Sequence, residues 1–238
     1  MKKVVLLIIF LFIVCGCGRD ESKIIMVTEA GFPPFEYYEN GEIVGVDIEI
    51  AKAIAQELGK ELVIKDVAFD SIINEVKSGK ADIGAAGISF SEERSKQVDF
   101  SKNYFTSNLI TIIKNTDNES NYNNLSDKKI AVQLGSTADM YVSKKYKNEN
   151  IVRHKKYLTT IEDLKNNKVD CIVMDELPAR LILKNNSELI IKNKVLSSEN
   201  YGMVVKKGNK NLLNVINKVI DRLISEGKIE EYIINYTK

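Results

Sequence analysis

Short apolar runs alternate with stretches whose apolar residues fall at helical spacing along most of this 238-residue chain. Ile24 to Thr28 reads as a buried strand. From Asp47 to Leu58, residues Ile50, Ala51, Ile54 and Leu58 share one helical face, and Gly59 supplies the stop. Asp70 can cap a helix carrying Ile72, Ile73 and Val76 that ends at Gly79. Asp82 to Ala86 is a short strand of small residues, Ser91 can cap a brief helical turn through Arg94, and Asn108 to Lys114 is a β-branched strand. The polar stretch from Asn115 to Asn124 is a loop, after which the pattern begins afresh. Lys129 to Gln133 is a strand, followed by a helix after Gly135-Ser136-Thr137. Thr160 caps a further helix through Leu164. Val169 to Met174 is a strand, and Pro178 sits where a first helical turn tolerates it. Tyr201 to Val205 forms a last strand, and Leu212 to Glu226 an amphipathic helix ended by Gly227. Strands separated by helices predict an α/β protein with largely parallel sheets, and the restart after residue 124 predicts two lobes.

The beginning of the chain has a different character. Lys2 and Lys3 precede eleven uninterrupted apolar residues, Val4 to Val14. That is signal-peptide length, since a membrane-spanning helix needs roughly twenty. The run ends in Val14-Cys15-Gly16-Cys17, which resembles a bacterial lipobox; Cys17 would become the acylated N-terminus and 17–23 a tether. Without Lys2 and Lys3 the basic count falls from 34 to 32, against 33 acidic residues. Such a balance lacks the basic footprint of a nucleic-acid binder. Beyond Cys17 only Cys171 remains, inside an apolar run, which excludes an intramolecular disulfide framework and suits a small core residue. The lone His154 cannot build a metal site or a catalytic triad, and its basic neighbours place it on the surface.

Four constellations carry candidate chemistry, each on a loop after a strand, where α/β proteins place ligands. In Glu29-Ala30-Gly31-Phe32-Pro33-Pro34-Phe35, two prolines stiffen a loop that can present Phe32 to a cleft or simply make a rigid turn. In Gly87-Ile88-Ser89-Phe90-Ser91-Glu92-Glu93-Arg94, a capped turn can hold Arg94 for a carboxylate, with Ser89 and the Gly87 backbone beside it. A surface ion pair is the plainer use of that arginine. Gln133-Leu134-Gly135-Ser136-Thr137 opens a helix with backbone N–H groups suited to an anion, or is an ordinary cap. Asp175 ends an apolar strand, where it can hold an ammonium group or cap the helix near Pro178. Together, Arg94 with helix amides, Asp175, and the rings of Phe32 and Phe69 complement a zwitterionic α-amino acid.

At Phe32-Pro33-Pro34-Phe35-Glu36, Gly45-Val46-Asp47-Ile48-Glu49-Ile50-Ala51 and Gly87 to Ser101, the chain resembles the extracytoplasmic amino-acid-binding proteins of polar amino acid ATP-binding-cassette importers. Ser91-Glu92-Glu93-Arg94 followed by Val98-Asp99-Phe100-Ser101 is the most specific match. The resemblance spans residues 24 to about 236. It implies a two-lobed periplasmic-binding-protein-like fold with a hinge and an interlobe ligand cleft. The first lobe would hold 24–106 and 201–238, the second 107–200, with 1–16 as signal and hinges near Phe105 and Ser198.

Carried over residue by residue, the resemblance gives Arg94 the ligand carboxylate, helped by Ser89 and Thr137. Asp175 and the Gly87 carbonyl take the ammonium, Phe32 and Phe69 form aromatic walls, and Glu29 reaches the side chain, with Gln133 its nearest neighbour. The neutral Gln133 leaves Glu29 charged, which favours arginine, then lysine, with glutamine or cystine as alternatives. The implied partners are a free amino acid, permease subunits and, through the lipid, the outer face of the cell membrane; the protein would act as a monomer without cofactor. Two departures stand out: there is no Trp for the family's terminal helix, and Phe90 replaces a smaller residue. An arogenate-dehydratase-like enzyme and a ligand-presenting sensor component are the competing readings.

Overall fold

The computed structural model describes residues 20–238; the signal segment and Cys17 lie outside the described residues. Among those residues, no helix is long and apolar enough to cross a membrane. The chain opens with β1 (Lys23–Thr28), a three-stranded antiparallel flap of β2 (Gly31–Phe32), β3 (Glu36–Glu39) and β4 (Glu42–Val44), then α1 (Val46–Leu58) and β5 (Glu61–Asp66). A 3₁₀ turn, Phe69–Ser71, leads into α2 (Ile72–Lys77), β6 (Ile83–Gly84), α3 (Glu92–Ser95) and β7 (Val98–Phe100). The long strand β8 (Phe105–Lys114) begins a second unit of β9 (Ile130–Gln133), α4 (Thr137–Lys145), β10 (Ile151–His154), α5 (Tyr157–Lys165), β11 (Cys171–Asp175), α6 (Glu176–Leu183), β12 (Leu189–Ile191) and β13 (Ser197–Tyr201). The chain then closes with β14 (Val204–Lys206), α7 (Lys210–Ser225) and α8 (Lys228–Thr237).

Two sheets result. The first has the order β5-β1-β6-β14-β7, the second β10-β9-β11-β8-β12 with β13 also paired to β8. Pairing is parallel around β1 and β9 and antiparallel around β8 and β14. Passage between the sheets runs through β8 and β13, which lie antiparallel with Phe105 opposite Tyr201 and Leu109 opposite Ser197. The ends of β1, β6, β9 and β11 therefore converge between the two sheets, which is where an open parallel sheet presents its loops.

The apolar patterns explain the layers. Leu213, Ile216, Val219, Ile220 and Leu223 form one buried stripe along α7, each side chain worth roughly 1.5–3 kcal/mol of burial. α7 and α8 pack on α1. In place of a Trp, Tyr236 of α8 donates to Glu49 Oε1 at 3.0 Å and sets its ring edge-on to Tyr37 at 6.3 Å. Cys171 is fully buried in the second sheet.

Several boundaries differ from the sequence reading. Residues 201–205 do not form one strand: the chain leaves β13 at Tyr201, and Ser101 Oγ accepts from Met203 N at 2.9 Å before β14 begins in the other sheet. Thr160 lies inside α5 and donates to the Tyr157 carbonyl at 2.6 Å, so the helix begins a turn earlier. Asp70 sits in the 3₁₀ turn and caps no helix with its side chain. His154 is not a free surface residue, because its Nε2 lies 2.8 Å from the Asp163 carboxylate. The edge strand β5 and the flap show no long apolar run or clean alternation, because their residues are mostly half-buried or exposed.

Gly45 joins the flap to α1 at φ +130°, and a Cβ there would lie 2.2 Å from the Phe35 carbonyl oxygen. That carbonyl accepts from Asp47 N, and the Pro34 carbonyl from Val46 N, each at 3.0 Å. Side chain and backbone conformation are both forbidden to alanine. Gly45→Ala should therefore lower unfolding stability by about 2–4 kcal/mol, seen as a reduced urea midpoint; an unchanged midpoint would show that the junction relaxes freely.

Candidate functional site

The converging strand ends line a narrow, largely filled cavity. At one end stands Arg94. Ser91 caps the four-residue α3 by accepting from Arg94 N at 3.2 Å, which orients the side chain inward. The guanidinium is almost fully buried; Nη1 donates to the Ser89 carbonyl at 2.7 Å and Nη2 to the Gly135 carbonyl at 2.9 Å. Its carbon lies 5.4 Å from the centre of the Phe69 ring, a cation–π geometry. Burial lowers its pKa to about 10, which leaves it charged at neutral pH. Across from it, Ser136 caps α4 by accepting from Asp139 N, and Thr137 opens the helix with its hydroxyl 3.4 Å from Ser89 Oγ. Arginine, two hydroxyls and a helix N-terminus thus converge where an anion can sit.

Asp175, at the end of β11, is buried and accepts from Tyr201 OH at 2.5 Å. Burial raises its pKa to about 6, with the Tyr201 hydrogen bond opposing the rise. Gly87 lies close by at φ +52°, its N–H donating to Asp47 Oδ2 at 3.0 Å. A Cβ on Gly87 would come within 2.9 Å of Phe32 and 3.1 Å of Tyr201. Glycine is what lets both rings close over this corner.

At the other end, Glu29 follows β1 and is 1% exposed. Its Oε2 accepts from Gln133 Nε2 at 3.1 Å, while Gln133 also donates to the Lys155 carbonyl at 3.0 Å. Oε1 receives no hydrogen bond from the described residues; Lys156 Nζ stands 3.7 Å from it. Burial raises the Glu29 pKa, against the Gln133 hydrogen bond and the Lys156 charge.

All nine residues nominated from the sequence line this one cavity: Glu29, Phe32, Phe69, Gly87, Ser89, Arg94, Gln133, Thr137 and Asp175. Their mutual arrangement differs from the expected one in one respect. Phe32 stacks on Tyr157 (5.5 Å, 24°) rather than facing Phe69, whose ring lies under Arg94. Tyr157, Ser136, Ala86 and Glu36 also line the cavity and were not nominated. Glu36 had a signal, since it directly follows Phe35 in the quoted motif. It is fully buried, and neither of its oxygens receives a hydrogen bond from the described residues. Burial first, and then the neighbouring Asp47 carboxylate, push its pKa well above the usual range. Asp47 itself is raised to about 6 by burial, although Tyr104 OH donates to it at 2.7 Å.

A cleft between two α/β units, with a buried guanidinium at one end and carboxylates at the other, defines a bilobal solute-capturing protein. The chain belongs to the bacterial extracellular solute-binding proteins, family 3, whose sequence profile matches residues 24–238. The arginine-binding extracellular protein ArtP of Bacillus subtilis is 30% identical over 247 residues, covering 97% of this chain and 96% of ArtP. A probable histidine-binding protein of Campylobacter jejuni is 34% identical over 212 residues, covering 88% of this chain and 82% of the relative. The amino acid ABC transporter substrate-binding protein AbpA of Streptococcus pneumoniae, solved bound to L-arginine, superposes with a TM-score of 0.86 at 34% identity, covering 91% and 94% of the two chains.

The raised pKa of Asp175 has a definite sign. The folded, ligand-free protein holds a proton there up to about pH 6, whereas an unfolded chain releases it near 3.9. Stability from this group therefore falls as pH rises from about 4 to 6. Asp175→Asn should flatten that slope in part, with Asp47, Glu29 and Glu36 supplying the rest, and raise stability at pH 7 by on the order of 1–3 kcal/mol. Urea midpoints at pH 4.5 and 7 measure it; an unaltered slope in the variant would contradict the assignment.

Proposed function

We propose that this protein captures a free L-α-amino acid with a basic side chain, arginine first and lysine second, for an ATP-binding-cassette importer. The observation that carries the reading is the placement of Arg94 and Asp175 in one buried cavity, with Glu29 at its far end. Arg94, with Thr137 at the helix N-terminus, takes the ligand carboxylate. Asp175 takes the ammonium, whose positive charge relieves the desolvated carboxylate. Phe32 and Tyr157 flank the carbon skeleton, and Glu29 Oε1, which among the described residues has only Lys156 Nζ at 3.7 Å, accepts from the side chain. Relatives named for arginine and histidine and a neighbour bound to L-arginine support this ligand class. Glutamine and cystine are the alternatives, and acidic amino acids, facing Glu29, bind worst.

Arg94 and Glu29 belong to the unit of the first sheet, Thr137 and Asp175 to that of the second. A ligand touching both favours closure in proportion to its differential contacts. We place the hinges in the paired strands around Phe105 and Ser198, with lobes of 24–106 plus 201–238 and 107–200. Capture rather than catalysis fits a site in which each end of a zwitterion already meets its complement; incubation with prephenate or arogenate would expose the enzymatic alternative by product formation. A lipid at Cys17 would hold the protein at the extracytoplasmic face beside its permease.

Calorimetry with the standard amino acids tests the reading. Arginine should bind, and Arg94→Ala should weaken it by about 2–5 kcal/mol, at least tens-fold, because a buried ligand charge loses its partner. Wild-type affinity in Arg94→Ala would remove the site assignment. For the anchor, Cys17→Ser should release the protein from the membrane fraction of a Gram-positive host; unchanged fractionation would rule out acylation there.

A further inference from the structure

Beside the Glu29 end of the cavity, at its rim, stands a cation that belongs to the protein. Lys156 occupies the N-cap position of α5, where its ammonium, a donor only, has no helix N–H to serve. It crosses to the other unit, where Nζ stands 3.7 Å from Glu29 Oε1 and 3.9 Å from Asp66 Oδ2. Asp66 is itself held by Ala30 N–H at 3.0 Å and by Tyr38 OH at 3.4 Å. Glu29 Oε2 is occupied by Gln133, leaving Oε1 as the acceptor open to a ligand. The lysine ammonium therefore faces the same oxygen that a ligand's side chain would address.

This arrangement changes the charge balance that a ligand meets. A guanidinium or ammonium arriving at Glu29 must share it with Lys156 or push that side chain toward water. A side-chain amide brings one N–H to Oε1 without a second positive charge. Half of the Lys156 side chain is solvent-exposed, so displacement is cheap and screened by salt. The device thus tempers a preference rather than forbidding a ligand.

We propose that Lys156 is a specificity-determining residue, a tethered ammonium that competes with cationic ligand side chains for Glu29 and narrows the margin of arginine over glutamine. The proposal rests on the amino-acid-binding reading and assigns the charge selectivity of that same site. Gln133, the neighbour emphasised by sequence, orients Glu29, while the compensating charge comes from a residue 23 positions further along.

The test is calorimetric titration of wild type, Lys156→Met and Lys156→Arg with arginine and with glutamine, at low and at high salt. Lys156→Met should strengthen arginine binding by roughly two- to tenfold, leave glutamine unchanged or weaker, and so raise the arginine-to-glutamine ratio. Lys156→Arg should restore the wild-type ratio, and the gain in Lys156→Met should shrink at 1 M NaCl. An unchanged ratio in Lys156→Met at low salt would overturn the proposal, as would an equal loss for both ligands, which marks a merely structural residue. If wild type binds neither amino acid while remaining folded, the underlying function is wrong, a result distinct from a flat ratio.

Discussion

The buried guanidinium of Arg94 is the constraint around which the site is arranged. It is held by one carbonyl from its own unit, Ser89, and one from the other, Gly135. Removing such a charge from water is expensive unless its donors are used and its face is covered. The two carbonyls use donors, and the Phe69 ring covers a face. The short capped helix α3 exists to aim this side chain, and the Gly135 turn brings the second carbonyl within reach at a backbone φ of +75°. A structure that tolerates this arrangement concentrates positive charge at one end of its cleft, which is the basis of the carboxylate role proposed for Arg94.

The carboxylates answer in kind. Glu29, Glu36 and Asp175 line the same cavity, with Asp47 immediately behind. Their raised pKa values share one leading cause, desolvation, and three of the four also feel another acid. The cavity is therefore electrostatically unfinished when it holds no cation. On the proposed function, a ligand ammonium supplies what the folded chain withheld, and Lys156 at the rim is the protein's own partial substitute.

Much of this was legible beforehand, for physical reasons that can be named. Apolar runs such as 169–174 and the spaced face of α7 identify strands and helices because burial enforces their periods. Arg94, Gly87 and Asp175 were legible because each stands at a strand end or in a capped turn, positions fixed locally. Tyr157 and Lys156 were not, and Glu36 showed only as the end of the motif at residues 32–36. Their roles depend on which loops the two sheets bring face to face, and nothing within ten residues of Lys156 points to Glu29. The stacking of Phe32 on Tyr157, and not opposite Phe69, is likewise a long-range outcome that motif order cannot convey.

The strand order carries a consequence for how the chain comes together in time. In the first sheet, β14 lies between β6 and β7 and pairs with both. Every strand of the second sheet, from β8 to β13, is contiguous in sequence and precedes β14. A chain emerging N-terminus first can finish the second sheet while the first still has a gap between β6 and β7. Exposed strand edges invite mispairing in such an interval. The half that begins the molecule is thus the half completed last, and it stays open until residue 204 arrives to fill the slot.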